Sequence, residues 1–435
     1  MRTDVGLRCE ACGQPAGAGR RRRLAGGRWL LAVGAACTIA AVAALVVSRS
    51  SGSDSKAGPA KASSSGSWTK GRSLGSIRGS TVAVVLRSGE VLVAGGGVGA
   101  VPVAAAELYE KGTGAWRATA SMGEARRGHQ AVVLPDGRVL VTGGVAGGRP
   151  LASAELYDPP RGAWTATAPM GTARLGHTLT LLGDGRVLAA GGTSLGEDAS
   201  GTGQAVTPLA STEIYDPAAA TWATGPAMAV ARFEHTASLL ADGRVLVAGG
   251  LAPAPGGTGP APTAATEVYD PAARAFVLSS PLHEARTNHA AAELADHRIV
   301  VVGGSGGPLA DAAIASAEVF DPTTGSWRPT GALNRARAGA TAITLAGGGV
   351  LVAGGESVDR GVRRSLADAE VLDADGEAWN DAGRMACPRS EHAAVRLTDG
   401  RVMQVAGDGA FPGRPPVAQG CVDVYEPASG APAKG

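Results

Sequence analysis

An all-β fold assembled from repeated sheet units is what this 435-residue sequence predicts, on three observations. A phrase of the form H-x-x-x-x-L-x-D-G-R-V-L-V-x-G-G recurs along the chain, as in 128–144, 176–192 and 234–250. An E-[LIV]-[YF]-D-P segment follows, and then a further short run with one aromatic. Composition agrees: 66 glycines and 26 prolines show no Gly-X-Y period, while 44% hydrophobic residues suffice to fill a core.

Each repeat reads as four strands separated by turn residues. The first two flank Asp-Gly, which predicts a two-residue type I′ hairpin with positive φ at both central positions. The second strand ends in a double glycine (143–144 and its equivalents), whose missing Cβ atoms suit a close backbone approach between units. The third carries the Tyr-Asp-Pro segment at 155–159, 213–217, 267–271 and 318–322, with diverged versions at Glu107, Glu370 and Asp423. The fourth carries Trp116, Trp164, Trp222, Phe276, Trp327 and Trp379, spaced by 48, 58, 54, 51 and 52 residues. Aromatics are only 4% of the chain, so one large ring per strand, with ~150–250 Å² each to bury, supplies most of the aromatic core.

Motifs in this order, at a period of about 50 residues, resemble kelch repeats. The resemblance covers residues 66–427, and the recurring phrase is most similar to the propeller domain of the galactose oxidase group. It implies a β-propeller. Seven positions of the double-glycine kind, the last of them written Ala406-Gly407, and seven third strands are present, but only six aromatic fourth strands follow them. Ser67-Trp68-Thr69, 48 residues before Trp116, supplies the missing one. The expectation is a seven-bladed propeller closed by an N-terminal strand, with six blades as the alternative; closure removes the open sheet edges.

Ahead of the repeats, residues 29–47 read WLLAVGAACTIAAVAALVV without a charge, which just suffices to cross a bilayer core of ~30 Å. Arg20–Arg23 and Arg28 precede it, so the positive-inside bias places residues 1–28 in the cytoplasm and the repeats outside, in the envelope of a bacterium to judge by the Ala- and Gly-rich composition. A cleaved signal peptide is the rival reading. The implied order is a basic tail at 1–28, a single-pass anchor at 29–47, a flexible linker at 48–65, the propeller at 66–427 and a disordered tail at 428–435. Cys9 and Cys12 form a lone C-x-x-C, half of what a tetrahedral zinc site needs, and a mobile unliganded tail is the plainer reading. The tail's seven arginines and two acids leave a net charge of about −3 on the rest of a chain that is +2 overall, which excludes a nucleic-acid partner.

Strand polarity assigns the loops to two faces. Face B holds the Asp-Gly hairpins and short D-P turns. Face A holds long irregular loops at 193–211, 251–265, 305–315 and 356–368, and is the expected binding surface. An R-x-x-H ring also lies there: Arg78, Arg126, Arg174, Arg232, Arg286, Arg337 and Arg389, with His129, His177, His235, His289 and His392 in five of the seven. A residue repeated in every blade is read as doing one local job in every blade, such as bonding loop carbonyls, ahead of a metal or anion site on the axis. The residue before the histidine breaks the symmetry as Ser80, Gly128, Gly176, Glu234, Asn288, Gly339 and Glu391. Glu234, Asn288 and Glu391, with Phe233, Phe411 and the basic run Arg360, Arg363 and Arg364, are the candidate ligand-binding residues. Cys387 and Cys421, on the same face, are a candidate disulfide.

The galactose oxidase group works through copper held by Tyr and His. Here all five tyrosines fall in third strands and none precedes a histidine, so no cofactor is implied. The expected function is a membrane-anchored binding module for a protein or a cell-surface polymer. The alternative is a hydrolase or isomerase acting on a sugar through face A carboxylates, for which paired carboxylates would be needed.

Overall fold

The computed structural model describes residues 66–197, 204–254, 256, 259–307, 311–359, 362–410 and 417–428. The apolar run at 29–47, the linker at 48–65, Cys9, Cys12 and the tail beyond 428 lie outside the described residues. Seven four-stranded antiparallel sheets form, with strands labelled a to d from the axis outward. In blade 1 these are Val82–Val85, Val91–Ala94, Ala106–Tyr109 and Trp116–Thr119. Blades 2 to 6 repeat the order within 130–167, 178–224, 236–279, 290–330 and 341–384. Each strand a packs beside those of the two neighbouring blades, and blade 7 packs beside blade 1, so the ring is closed.

Blade 7 takes strands a to c from Ala393–Arg396, Val402–Val405 and Val422–Glu426, and strand d from Ser67–Lys70. The pairing is antiparallel with Trp68 opposite Tyr425, the register that the other blades use for their own aromatic pair. Six such pairs are tilted rings with centroids 5.0–5.3 Å apart. Except at Trp327, the Trp indole N–H then reaches back one blade: Trp68 donates to the Ala382 carbonyl at 2.8 Å and Trp164 to that of Ala120 at 2.8 Å.

The core is not central but interfacial. Seven apolar clusters lie one at each junction between blades, as where Leu92 and Leu108 of blade 1 meet Val139, Val141 and Tyr157 of blade 2. Strand b is buried on both sides in every blade, which is why its sequence is a nearly continuous apolar run and not an alternation, Gln404 in blade 7 and Thr142 in blade 2 being buried exceptions.

The a–b hairpins differ from the expected type I′ turns. Only the Gly of Asp-Gly has positive φ (84–91° at Gly89, Gly137, Gly185, Gly243, Gly348 and Gly400). The Gly137 N–H bonds the Leu134 carbonyl at 2.9 Å, and Leu134 N–H bonds Arg138 at 2.8 Å. This is a type I turn followed by a left-handed bulge residue. Asp136 favours it by accepting from the backbone and side chain of Arg138, which a left-handed Asp would not be placed to do. His297 occupies the left-handed position in blade 5 with φ 68°.

Deleting 66–74 removes strand d of blade 7, opens a sheet edge and strips Trp68 from Tyr425. The melting temperature should fall sharply or the protein aggregate; an unchanged melting curve would refute closure by this strand.

Candidate functional site

Face A is organised from beneath by the Arg ring. In every blade the Arg before strand a is buried and ion-paired to the acid of strand c: Arg78–Glu107, Arg126–Glu155, Arg174–Glu213, Arg232–Glu267, Arg286–Glu318, Arg337–Glu370 and Arg389–Asp423. The first six are 2.5–3.0 Å apart. Each guanidinium also donates to the carbonyl that ends strand b and to the one that precedes strand c, as Arg232 does to Gly249 at 2.9 Å and Ala265 at 2.6 Å. The carboxylate turns its other lone pairs to the incoming loop, where Glu267 accepts from the N–H groups of Ala229 and Val230. The shared local job expected of the ring is therefore a carbonyl clamp, and its anion partner is the acid that opens each third-strand motif. Burial lowers the Arg389 pKa to about 10, against the pull of Asp423, so the clamp stays charged at neutral pH.

The histidines pack the junctions. A Cβ on Gly143 would meet His177 Cε1 at 2.6 Å and the Arg174 carbonyl at 2.6 Å, so the first glycine of the pair is the space the next blade's imidazole fills. Four imidazoles bond a threonine of the preceding blade, as His289 with Thr236 at 2.9 Å. Burial drives His129, His177, His289 and His392 to about 3, and His235 well below its ordinary value, so all five are neutral.

The variable residue before the histidine lines the neck of the central channel. All seven have positive φ, from 49° at Ser80 to 65° at Gly176. Their backbones bond from blade to blade: Gly128 N–H to Ser80, Glu234 to Gly176, Asn288 to Glu234, Gly339 to Asn288, Glu391 to Gly339 and Ser80 to Glu391, at 2.9–3.3 Å. Glycine serves there without steric cost, whereas a left-handed glutamate costs about 1–2 kcal/mol. Glu234 and Glu391 keep that strain.

Three of the sequence candidates meet in this neck. Asn288 Nδ2 donates to Glu391 Oε1 at 3.1 Å, skipping blade 6, where Gly339 leaves the gap: a Cβ there would sit 3.4 Å from that oxygen. Burial first, and then the charge of Glu234, raise the Glu391 pKa to about 7, with the Asn288 bond opposing and Glu356 and Asp408 adding to the rise. Burial likewise raises Glu234, and brings Asp408 to about 6 against the pull of Arg127.

The other candidates separate. Phe233 is 3% exposed and its backbone bridges Leu251, so it is core and offers no ligand contact. Arg363 is paired with Glu356, while Arg364 is exposed. Arg360 and Phe411 lie outside the described residues. Cys387 and Cys421 are joined as a disulfide with Cα atoms 6.5 Å apart, and both carbonyls accept from Arg389.

Above the neck, the b–c loop of every blade is a two-stranded ribbon, and not the irregular loop the sequence suggested; Thr193–Glu197 with Gln204–Pro208 is the longest. The base of each ribbon bridges the segment before its own strand a, as Ala338 with Glu356 and Ser390 with Asp408, which fixes both on one face. A cavity of about 590 Å³ opens on this face, lined by Asn334, Arg335, Ser357, Arg364, Arg384 and Pro388 among others. A smaller one of about 220 Å³ lies among the hairpins of face B, around Asp184, Asp242 and Arg244.

Fold and rim together define a seven-bladed β-propeller whose long-loop face carries an asymmetric polar neck. Two stretches match the Kelch motif, 126–171 in blade 2 and 286–334 in blade 5, so the seven-bladed propeller carries kelch motifs. No curated protein matches it. Among solved structures it is similar to a novel fungal alcohol oxidase of the AA5 family in complex with copper (TM-score 0.63, 17% identity, 83% of this chain and 76% of that one). It is also similar to YjhT (TM-score 0.52, 14% identity, 69% of this chain and 95% of that one). At these identities the likeness is one of fold.

The residues present do not fit a copper centre. Tyr157 and Tyr215 bond Thr119 and Thr167 across blade junctions at 2.8 Å, Tyr425 accepts from Gly66, and the axial imidazoles are packed shut. Among the described residues no group of three His, Cys, Asp or Glu side chains is arranged to hold a metal.

Two outcomes test this geometry. Glu267→Gln leaves Arg232 charged and uncompensated in a fully buried site, and should cost about 3–5 kcal/mol in urea unfolding. Adding Arg232→Met should recover only part, since the loop N–H groups remain short of an acceptor. At the neck, a carboxyl whose folded pKa is raised is favoured protonated, so its ionisation removes stability as pH rises from about 4.5 through about 7. Glu391→Gln should therefore raise stability at pH 8 by about 3 kcal/mol and leave it nearly unchanged at pH 4.5; equal melting shifts at both pH values would contradict the raised pKa.

Proposed function

We propose that the chain is a membrane-anchored, extracytoplasmic binding module that takes a protein or a cell-surface polymer on face A. The observation that carries this reading is the contrast between the faces. Face B repeats one hairpin and one short turn around the ring. Face A sets different side chains on equivalent backbone positions, and retains two glutamates where glycine would relieve strain. Strained residues held by an over-determined scaffold concentrate at functional sites. The anchoring half rests on the uncharged run at 29–47 behind five arginines.

One observation favours a second reading, acid–base chemistry on a sugar. Glu391 titrates near neutrality and touches Asn288 in a half-buried neck, as a general acid or base requires. Glu234 acts on it through charge and accepts only a long 3.4 Å bond from Thr287, so binding remains the first reading.

Photo-crosslinking side chains installed at Ser357 on face A and at Ser88 on face B of the full chain, in spheroplasts, test both halves. The expected result is a discrete adduct from position 357 alone, and removal of the propeller by protease added outside. Equal adducts from the two faces, or protection of the propeller, would overturn the reading.

A further inference from the structure

The cavity between the blade 6 ribbon and the approach to blade 7 has no part in the neck. Three arginines reach it from three separate segments: Arg335 before strand a of blade 6 (341–344), Arg364 on the ribbon strand Val362–Ser365, and Arg384 at the end of strand d (379–384). One acid answers them. Asp368 takes Arg335 on one oxygen at 2.6 Å and Arg384 on the other at 3.2 Å, so both of its oxygens are engaged. Arg364 has no partner among the described residues. The neighbouring charges are already neutralised, Arg363 by Glu356 and Arg337 by Glu370. Among the described residues, three guanidinium groups against one carboxylate leave a local charge of +2, on a body whose sequence beyond residue 28 is net acidic.

We propose that this cavity is a recognition site for a dianionic group, either a phosphate monoester or a pair of carboxylates. Its volume of about 590 Å³ lies within the usual 300–1,000 Å³ of small-ligand sites. The guanidinium fork matches both oxyanions in two-point geometry, which a cluster of lysines would not do. A dianion balances the surplus charge. The remaining lining suits a ligand with a short carbon frame: Val358, Leu366, Ala336, Ala367 and Pro388 supply apolar wall, and Ser357 and Asn334 lie beside it. No aromatic is in the lining to stack a sugar ring, so the charge and not a saccharide face is what the site reads. The assignment deepens the binding-module reading and rests on it for the choice of face: the ligand is the anionic group that the partner, or a free organic acid or phosphate ester, presents to face A.

The test is calorimetric titration of the purified full-length chain with inorganic phosphate, with succinate and with a deca-glutamate peptide. Saturable binding of phosphate or succinate at one site per chain is expected, weakened at least fivefold by Arg364→Gln and by Arg384→Gln and unchanged by Arg149→Gln on the blade 2 ribbon. Phosphate alone assigns a phosphate ester and succinate alone a dicarboxylate. Binding of the peptide alone, binding lost equally in Arg149→Gln, or binding of none of the three overturns the proposal. Thermal melts of the same variants without ligand separate a folding defect from a lost contact. Failure here with face-selective crosslinks intact removes only the anion site; anion binding without face-selective crosslinks removes the module reading.

Discussion

Everything on the long-loop face hangs from one buried ion pair repeated seven times. Its arginine precedes strand a, its acid lies in strand c, and its carbonyl acceptors end strand b and lead into strand c. Three segments are thus tied at one guanidinium, and the carboxylate adds the fourth by holding the loop that arrives from the previous blade. A hydrophobic pair of equal volume would fill the space but satisfy none of those backbone groups. The pair is therefore less a source of net stability than a device that fixes where four chain segments stand. The ribbons and the neck inherit their positions from it.

Much of this was legible in the sequence. The period, the blade count and the displaced fourth strand followed from counting, because each blade repeats a glycine-ended second strand, an acid-led third strand and one large aromatic in the fourth. The Arg ring was read as structural, correctly, but its counter-ion was missed although Glu or Asp recurs seven times in strand c. The spacing between the two varies from 29 to 39 residues with ribbon length, which hides the pair from any fixed-offset pattern. Asp-Gly was read as the wrong turn because both turn types place Gly in the left-handed region, and only the asparaginyl-like bonding of Asp decides between them. The contact of Asn288 with Glu391 was out of reach, since it depends on Gly339 being small in a blade between them.

Neighbouring blades also constrain one another in ways that explain the irregular copies. The first glycine of a pair is empty space for the next blade's imidazole, and where the next blade lacks a histidine the rule relaxes. Blade 7 is followed by Thr81 of blade 1, and there the glycine is replaced by Ala406, still left-handed at φ 62°. Blade 6 carries Ala340, and a Cβ on Gly303 before it would meet the Arg337 carbonyl where other blades also present an imidazole. Variation in one blade is thus read out in its neighbour, which keeps the rim asymmetric without disturbing the ring.

The borrowed strand of blade 7 sets an order of events during synthesis. Gly66, beside that strand, meets Tyr425 across 359 residues of chain, the longest separation among the bonds that shape the fold. At about 5–20 residues per second, the first strand waits tens of seconds for its partner to emerge. Six blades can form in sequence while it waits, each on the edge of the last, but the ring cannot shut until the final strand has been made. A chain released early keeps an unpaired edge at both ends. Closure therefore marks completed chains, and leaves truncated ones exposed to proteolysis.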